Sequence, residues 1–519
     1  MQISGPRART EIACSDVCYP HASASAANRF SIASEGFTRP MRLPSVAKGV
    51  ISVSEVSTMA VPAPSAIPAA APASSEPWPK PSHGWYAVTL FGCTIFTLFA
   101  ALPITGLVFS QIKADFHLSD KQVALLLVTI PMWVLAAASL PISRLADSFS
   151  RKLIIGIGLL LLGSFGVAAA LATTLTAFFI ARLLGGIGGA GNGSATFSML
   201  GDLFPPEKLP KAFAVMNIGF CAALGLPYII GGQVFGALAS MHSLSLPLLG
   251  EVRPWQSMLL MIAIPDALLG LLILFTLREP RRRARVLSVN AADSDAARRS
   301  IPLRDIVAYM WANRRAFWPM YVGLGLNTLA LGTSSWMTAF YERTHGWTPK
   351  QFGLAQGLVY LLLAPASLLF GGWLAEYWAR RGHTDAALRV VLLASVLHTP
   401  FAISFGLVPN PYLALALVSM STCISLIGAG PQNAAFQTIV PNEMRAQITA
   451  SFLFVFTAMQ AAGPLLIGWL TDDVFGNEKS LRYALSLTHA IVAPLAILVF
   501  WIGLKGYREA VARMRAIAR

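Results

Sequence analysis

The sequence predicts an all-α membrane protein with twelve transmembrane helices in two six-helix pseudo-symmetric halves. Three observations carry that expectation. Only 12% of the 519 residues are charged and the mean hydropathy is +0.61, whereas soluble domains carry about 25% charge. From Trp85 onward, twelve apolar stretches approach the roughly 20 residues a helix needs to cross hydrocarbon. A charged hairpin after the second stretch recurs after the eighth.

In order, the stretches are 85–109, 121–142, 153–173, 176–200, 211–238 and 255–277, then 316–341, 352–375, 390–408, 412–438, 447–470 and 483–504. Lipid offers no partners to backbone N–H and C=O groups, so each is expected to be a helix, numbered here spans 1 to 12. Residues 1–83 form a Ser/Ala/Pro-rich tail without the apolar core of a signal peptide, and "VPAPSAIPAAAPASSEPWPKP" reads as flexible extended chain. Met41 and Met59 offer alternative starts. The expected organisation is this disordered tail, a six-helix half over 84–277, a basic linker over 278–315, a second half over 316–504 and a basic tail over 505–519.

The net charge of +15 raises the question of nucleic acid, and the placement of the basic residues answers it. With the N-terminus inside, the internal connections and C-terminal tail hold 24 of the 39 Lys and Arg, ten of them in 278–315. The N-terminal tail adds 7, and the six external connections together hold only 7. That asymmetry is the positive-inside rule at work, so the basic balance reports topology and no nucleic-acid partner is expected. Both termini are placed in the cytoplasm of a plasma (inner) membrane, and linker 278–315 faces the anionic inner leaflet.

The five cysteines give no disulfide framework. Cys93, Cys221 and Cys423 fall within apolar runs as small buried hydrophobes. Cys14, Cys18 and His21 have loosely metal-like spacing but lack a fourth ligand, so no metal is expected. No cofactor is expected either.

The hairpin is "SRLADSFSRK", from Ser143, and its copy is "GWLAEYWARR", from Gly372. A constant offset of 229 residues pairs Asp147 with Glu376, Arg151 with Arg380 and Lys152 with Arg381. An acid at a helix end followed by two bases suits a gate. The acid can bond its loop's bases and face the positive N-terminus of a helix from the other half. Such contacts form when the internal side closes and break when it opens. Positive-inside anchoring alone requires neither the acid nor the register. A parallel six-span repeat of this kind is the mark of a two-domain secondary transporter.

The hairpin resembles the signature loop of the major facilitator superfamily. Ser143, Ser148 and Ser150 stand where that loop has Gly, a first base and a second Gly. The resemblance covers roughly 84–507. "IKADFHLSDKQVALL", "DLFPPEKLPKAFAV", "SWMTAFYERTHGWTPKQFGL", "IVPNEMRAQITA" and "AAGPLLIGWLTDD" are similar to the spinster-like branch. The resemblance implies that spans 1, 4, 7 and 10 line a central cavity. It also implies an Asp-Arg pair in span 1 and an Arg with a Glu in span 4, the acids coupling protons. Here the span 1 pair aligns with Ala101 and Leu102, and the span 4 Glu position is Gly189, while Arg182 is kept.

Ionisable groups within spans are costly and therefore functional candidates. Arg182 is the first: a guanidinium without a cavity carboxylate can clamp a substrate carboxylate or phosphate, or be satisfied by carbonyls and hydroxyls. Asp266 follows Pro265 in span 6 and serves either the proline bend or proton coupling. His398 and His489 lie in spans 9 and 12. Gly185, Gly189 and Gly193 repeat at the spacing of a close-packing face. "GLPYIIGG" and "GPLLIGWLTDD" are corresponding Gly/Pro bends in spans 5 and 11. Asn192, Asn327, Trp336, Gln432 and Asn433 complete the expected cavity lining, the Trp holding a ring or alkyl chain while amides orient polar groups.

The sequence thus reads as an alternating-access carrier for a small organic anion or anionic amphiphile, a small-molecule or lipid-like substrate taken from or through the bilayer. A monomer is the simplest working unit. The alternative is a proton-coupled exporter of lysolipid-like or drug-like amphiphiles. The rivals of a different class, a non-transporting sensor and an intramembrane enzyme, would need a folded soluble domain or a cluster of intramembrane acids.

Overall fold

The computed structural model describes residues 78–205, 208–238, 244–246, 250–281, 303–441 and 444–517. Cys14, Cys18, His21 and the expected tail before residue 78 lie outside them.

Among the described residues, ten helices are long and apolar enough to cross a membrane. The other two expected spans are present but interrupted. Span 4 is Leu175–Gly189 and Asn192–Leu203, broken at Ala190 and Gly191. Its glycines weaken the helix by the backbone freedom they keep. Span 7 is Arg314–Gly332, a 3-10 turn over Thr333–Trp336, and Met337–His345. Spans 2 and 11 carry a wider π-turn each, at Leu125–Thr129 and Leu470–Val474.

Helix ends follow local chemistry. Ser119 and Gln122 form a reciprocal capping box at the start of span 2, and Thr348 and Gln351 form another before Pro349 opens span 8 (Pro349–Arg380). Span 7 stops at Gly346, whose φ of 68° is left-handed and suits glycine. Three features were not expected: a two-strand hairpin pairing Leu244–Leu246 with Gly250–Val252, a helix over Leu303–Ala312, and a final helix that runs over Leu481–Ile517. That last helix is anchored past the membrane by Asp385, which accepts from Arg508 at 2.5 Å and Arg389 at 2.8 Å. Burial alone would raise the Asp385 carboxyl, but the two guanidinium groups outweigh it and hold it below the ordinary range.

Spans 1, 3, 4, 5 and 6 pack among themselves, as do spans 7, 9, 10, 11 and 12. Three helix pairs join the sets: span 5 (Leu209–Leu238) with span 8, span 2 with span 11 (Arg445–Trp469), and, more lightly, span 1 with span 7. The first seam is glycine against glycine. A Cβ on Gly225 would lie 2.6 Å from the Gly357 carbonyl, and one on Gly353 would lie 2.4 Å from that of Tyr228. The second is polar: Thr129 Oγ1 donates to the Ala461 carbonyl at 2.7 Å and Trp133 Nε1 to that of Ala458 at 3.0 Å.

The bundle has two ends. One bears the 1–2, 7–8 and 11–12 connections and is called the odd end here; the even end bears the 2–3, 4–5 and 8–9 connections. The apolar core differs between them. One buried cluster contains Phe109, Val128, Trp336, Phe352 and Ile467, so it fuses both sets toward the odd end. Toward the even end there are two clusters, one drawn only from residues 87–277 and the other only from 306–511. The halves are joined at one end and parted at the other.

Candidate functional site

At the odd end an ion-pair cluster seals the junction. Asp120, the first residue of span 2, is fully buried, and its carboxylate takes Lys113 Nζ at 2.6 Å. Arg343, from the end of span 7, approaches it as a fork, with Nη1 to Oδ2 at 2.5 Å and Nη2 to Oδ1 at 2.9 Å. Lys113 reaches across to Glu478 at 2.6 Å, Lys121 to Asp473 at 2.9 Å, and Ser110 Oγ donates to Glu342 at 2.5 Å. The first-turn N–H of Lys121 donates to Asp472 at 2.7 Å, an acid placed at a helix N-terminus. Burial works against the charge on Arg343, but Asp120 and the nearby acids outweigh it and raise its pKa, so it stays cationic.

Beneath the cluster, Arg343 lies over the Trp336 ring at 5.7 Å, Trp336 Nε1 donates to the Pro464 carbonyl at 3.0 Å, and Phe109 meets the same ring edge-on. A cleft of about 730 Å³ lies beside this seal, lined by Asp115, Trp255, Arg253, Glu342 and Lys350. Among the described residues, every ion pair that crosses between the two sets of six lies in this cluster.

At the even end, by contrast, the ion pairs between described residues stay within one set. Arg151, 2% exposed, holds Asp202 at 2.5 Å and Glu279 at 3.4 Å, with Ser198 at 3.2 Å. Glu279 also accepts from the Arg151 N–H at 2.8 Å, the Lys152 N–H at 3.4 Å and the Ser150 hydroxyl. Asp147 lies on the span 2 helix, but its side chain is outside the described residues. Among the described residues, Arg151 bonds Asp202 and Glu279, two acids that sequence spacing did not single out. In the copy, Glu376 and Arg380 pair at 2.5 Å in an exposed position, and Arg381 lies over Tyr377 at 4.3 Å.

Arg182, in the first segment of span 4, makes one hydrogen bond, from Nη2 to the Leu127 carbonyl at 3.0 Å. Leu127 lies within the π-turn of span 2. The Nε of Arg182 is buried and has no partner. The guanidinium is thus held by span 2 and only partly satisfied.

The other expected residues separate. Asn433 is exposed on span 10 (Pro411–Thr438) and bonds its own helix at Ala429, and Gln432 beside it is half-buried. Asn327 donates to Ser395 of span 9 (Ala386–Ser404) at 3.2 Å. Two residues expected to line the cavity are buried here. Asn192 is fully buried, close enough to Gly158 that a Cβ there would lie 2.8 Å from its Oδ1, so it packs spans 3 and 4 together. Trp336, 1% exposed, belongs to the seal. Asp266 is buried beside Thr97 with Oδ1 unpartnered, inside the first set. His398 shares a 2.7 Å bond with Ser421 and lies 6.0 Å from the His489 ring within the second set.

A membrane-spanning bundle whose halves are joined at one end and parted at the other is built as a transporter. The Major Facilitator Superfamily model matches residues 84–464, and the chain belongs to that family. It is 22% identical over 439 residues to an MFS-type efflux pump of Mycolicibacterium smegmatis, covering 83% of this chain and 94% of that one. It is 29% identical over 425 residues to multidrug resistance protein 1 of Bacillus subtilis, covering 78% and 96%. Among solved structures it resembles a bacterial homologue of the human lysosomal transporter spinster in an inward-facing, unoccupied conformation. There the TM-score is 0.69 at 19% identity, over 84% of this chain and 98% of that one.

Proposed function

We propose that the chain moves an amphiphile bearing a carboxylate or phosphate by alternating access, as a secondary or facilitative carrier of the inner membrane. Arg182 carries the reading. A guanidinium inside a span without a carboxylate partner, and with Nε unsatisfied, is a costly group that an anionic ligand would complete. The basic residues assign the even end to the cytoplasm. On that assignment the seal closes the outside and the substrate site communicates with the inside. Asn327, Gln432 and Asn433 are the polar groups that would orient the cargo.

In the opposite state, Asp147, Arg151, Lys152, Glu376, Arg380 and Arg381 would close the inner side. The exposed Glu376–Arg380 pair is available for that exchange. Ala101 and Gly189 stand at the usual acid-bearing positions, which favours exchange or facilitated movement over proton coupling in the cavity. The two relatives named as efflux and multidrug proteins favour outward movement of amphiphiles.

Thermal stabilisation of the purified protein by organic acids, anionic lysolipids and cationic amphiphiles tests the reading. A ligand at 100 times its Kd should add about 2.7 kcal/mol to the folded state. Anions are expected to stabilise the wild type and to lose that effect in Arg182→Ala. Stabilisation by cations or neutral amphiphiles in both proteins would contradict the reading and leave Arg182 a structural residue.

A further inference from the structure

We propose that Asp120 makes the odd-end seal pH-sensitive: a proton on this carboxylate releases Arg343 and favours opening of that end. The inference rests on the alternating-access reading and adds a control to it.

The cluster consists of two pairs, each with a member of both charges. Lys113 and Asp120 come from the first set, and Arg343 and Glu478 come from the second. The seal forms because each pair also bonds across: Arg343 to Asp120 and Lys113 to Glu478. When the halves part, each cation keeps an acid on its own side, since Lys113 already holds Asp120 and Arg343 lies 3.9 Å from Glu478. Opening therefore strands no charge.

Protonation changes that balance. In the sealed state Asp120 is fully buried and answers two cations, which strongly favours the carboxylate. In the opened state it answers one cation and water. The opened state therefore binds a proton more readily, and by linkage acid favours it.

Most groups around Asp120 are engaged by other partners, and the Asp120→Asn variant separates the contribution of the histidines. Lys121 is engaged by Asp473 and its N–H by Asp472, both at the end of span 11. Glu342 is bound by Ser110, and Asp115 faces Arg253 and Trp255. Glu478 is exposed, so water already meets much of its charge. His117 lines the adjoining cleft, and His345 packs against Phe340 and Tyr341.

Asp120 stands at the rim, so the proton returns to the side it came from. The expected behaviour is pH-controlled opening without proton transport through this site.

The test is the distance between spin labels at Ala114→Cys and Lys479→Cys, across the seal, in full-length protein whose five native cysteines are replaced by alanine. The long-distance fraction is expected to stay level between pH 8 and 5 and to rise as pH falls from about 5 to 3, by up to about tenfold in the open-to-closed ratio per pH unit where Asp120 titrates. Asp120→Asn should be open-shifted at pH 8 and flat with pH, and Asp120→Glu should restore the response. A flat wild-type profile, or an Asp120→Asn profile that matches the wild type, overturns the proposal. Arg343→Ala separates the two levels. If it opens while the wild type stays flat, only the pH control fails. If no variant shows a long distance, alternating access itself fails.

Discussion

Arg343→Ala is expected to unseal the odd end. The guanidinium supplies two of the three bonds to the buried Asp120 and caps the Trp336 ring. Removing one partner of a buried ion pair costs about 3–5 kcal/mol. Lys113 remains on Asp120, so a loss of about 2–3 kcal/mol is expected, or roughly 30–150-fold in the closed-to-open ratio. In a Ser110→Cys background, reaction with an impermeant thiol reagent should accelerate by that order when Arg343→Ala is added. An unchanged rate would mean that the cluster decorates an end closed by apolar packing alone.

Arg151→Ala is expected to produce the largest loss of stability at the even end. Its side chain is 3% exposed, and its loss removes a buried cation shared by Asp202 and Glu279, which are 13% and 25% exposed. A loss of about 3 kcal/mol is expected, read as a fall in Tm of roughly 5 °C. The pH dependence has a definite sign. Burial alone would raise the Glu279 carboxyl, but the Ser150 hydroxyl, the Arg151 and Lys152 N–H groups and the guanidinium together hold it below its ordinary value. Such a group stabilises the folded state fully above the unfolded pKa, about 4.3, and the effect is lost as pH falls through the folded value. The gap between wild type and Arg151→Ala should therefore narrow in acid below about pH 4. A gap independent of pH would mean that the loss comes from packing around Arg151 and not from the Glu279 carboxylate.

The membrane class and the helices were legible because lipid imposes one rule, backbone satisfied within the segment, which leaves a long apolar signature. What sequence spacing could not show was partnership. Arg151 bonds Asp202, 51 residues away, and Glu279, 128 residues away, acids to which the spacing of "SRLADSFSRK" does not point. The odd-end seal was missed for a related reason. Lys113, Asp120, Arg343 and Glu478 each read as an ordinary loop charge, and only the fold brings their three connections together. One signal was available: the few basic residues on that side included Lys113, Lys121 and Arg343, each within a few residues of an acid. The burial of Trp336 and Asn192, each next to an interruption in its span, is likewise not visible in helical spacing.

The most direct test of the central claim is release of a fluorescent anionic lysophospholipid from proteoliposomes, compared with a cationic dye, in wild type and Arg182→Ala. The account predicts saturable movement of the anionic probe that falls at least tenfold in Arg182→Ala, with little movement of the dye. Equal movement of the anion in both proteins, or transport of the dye alone, would contradict it.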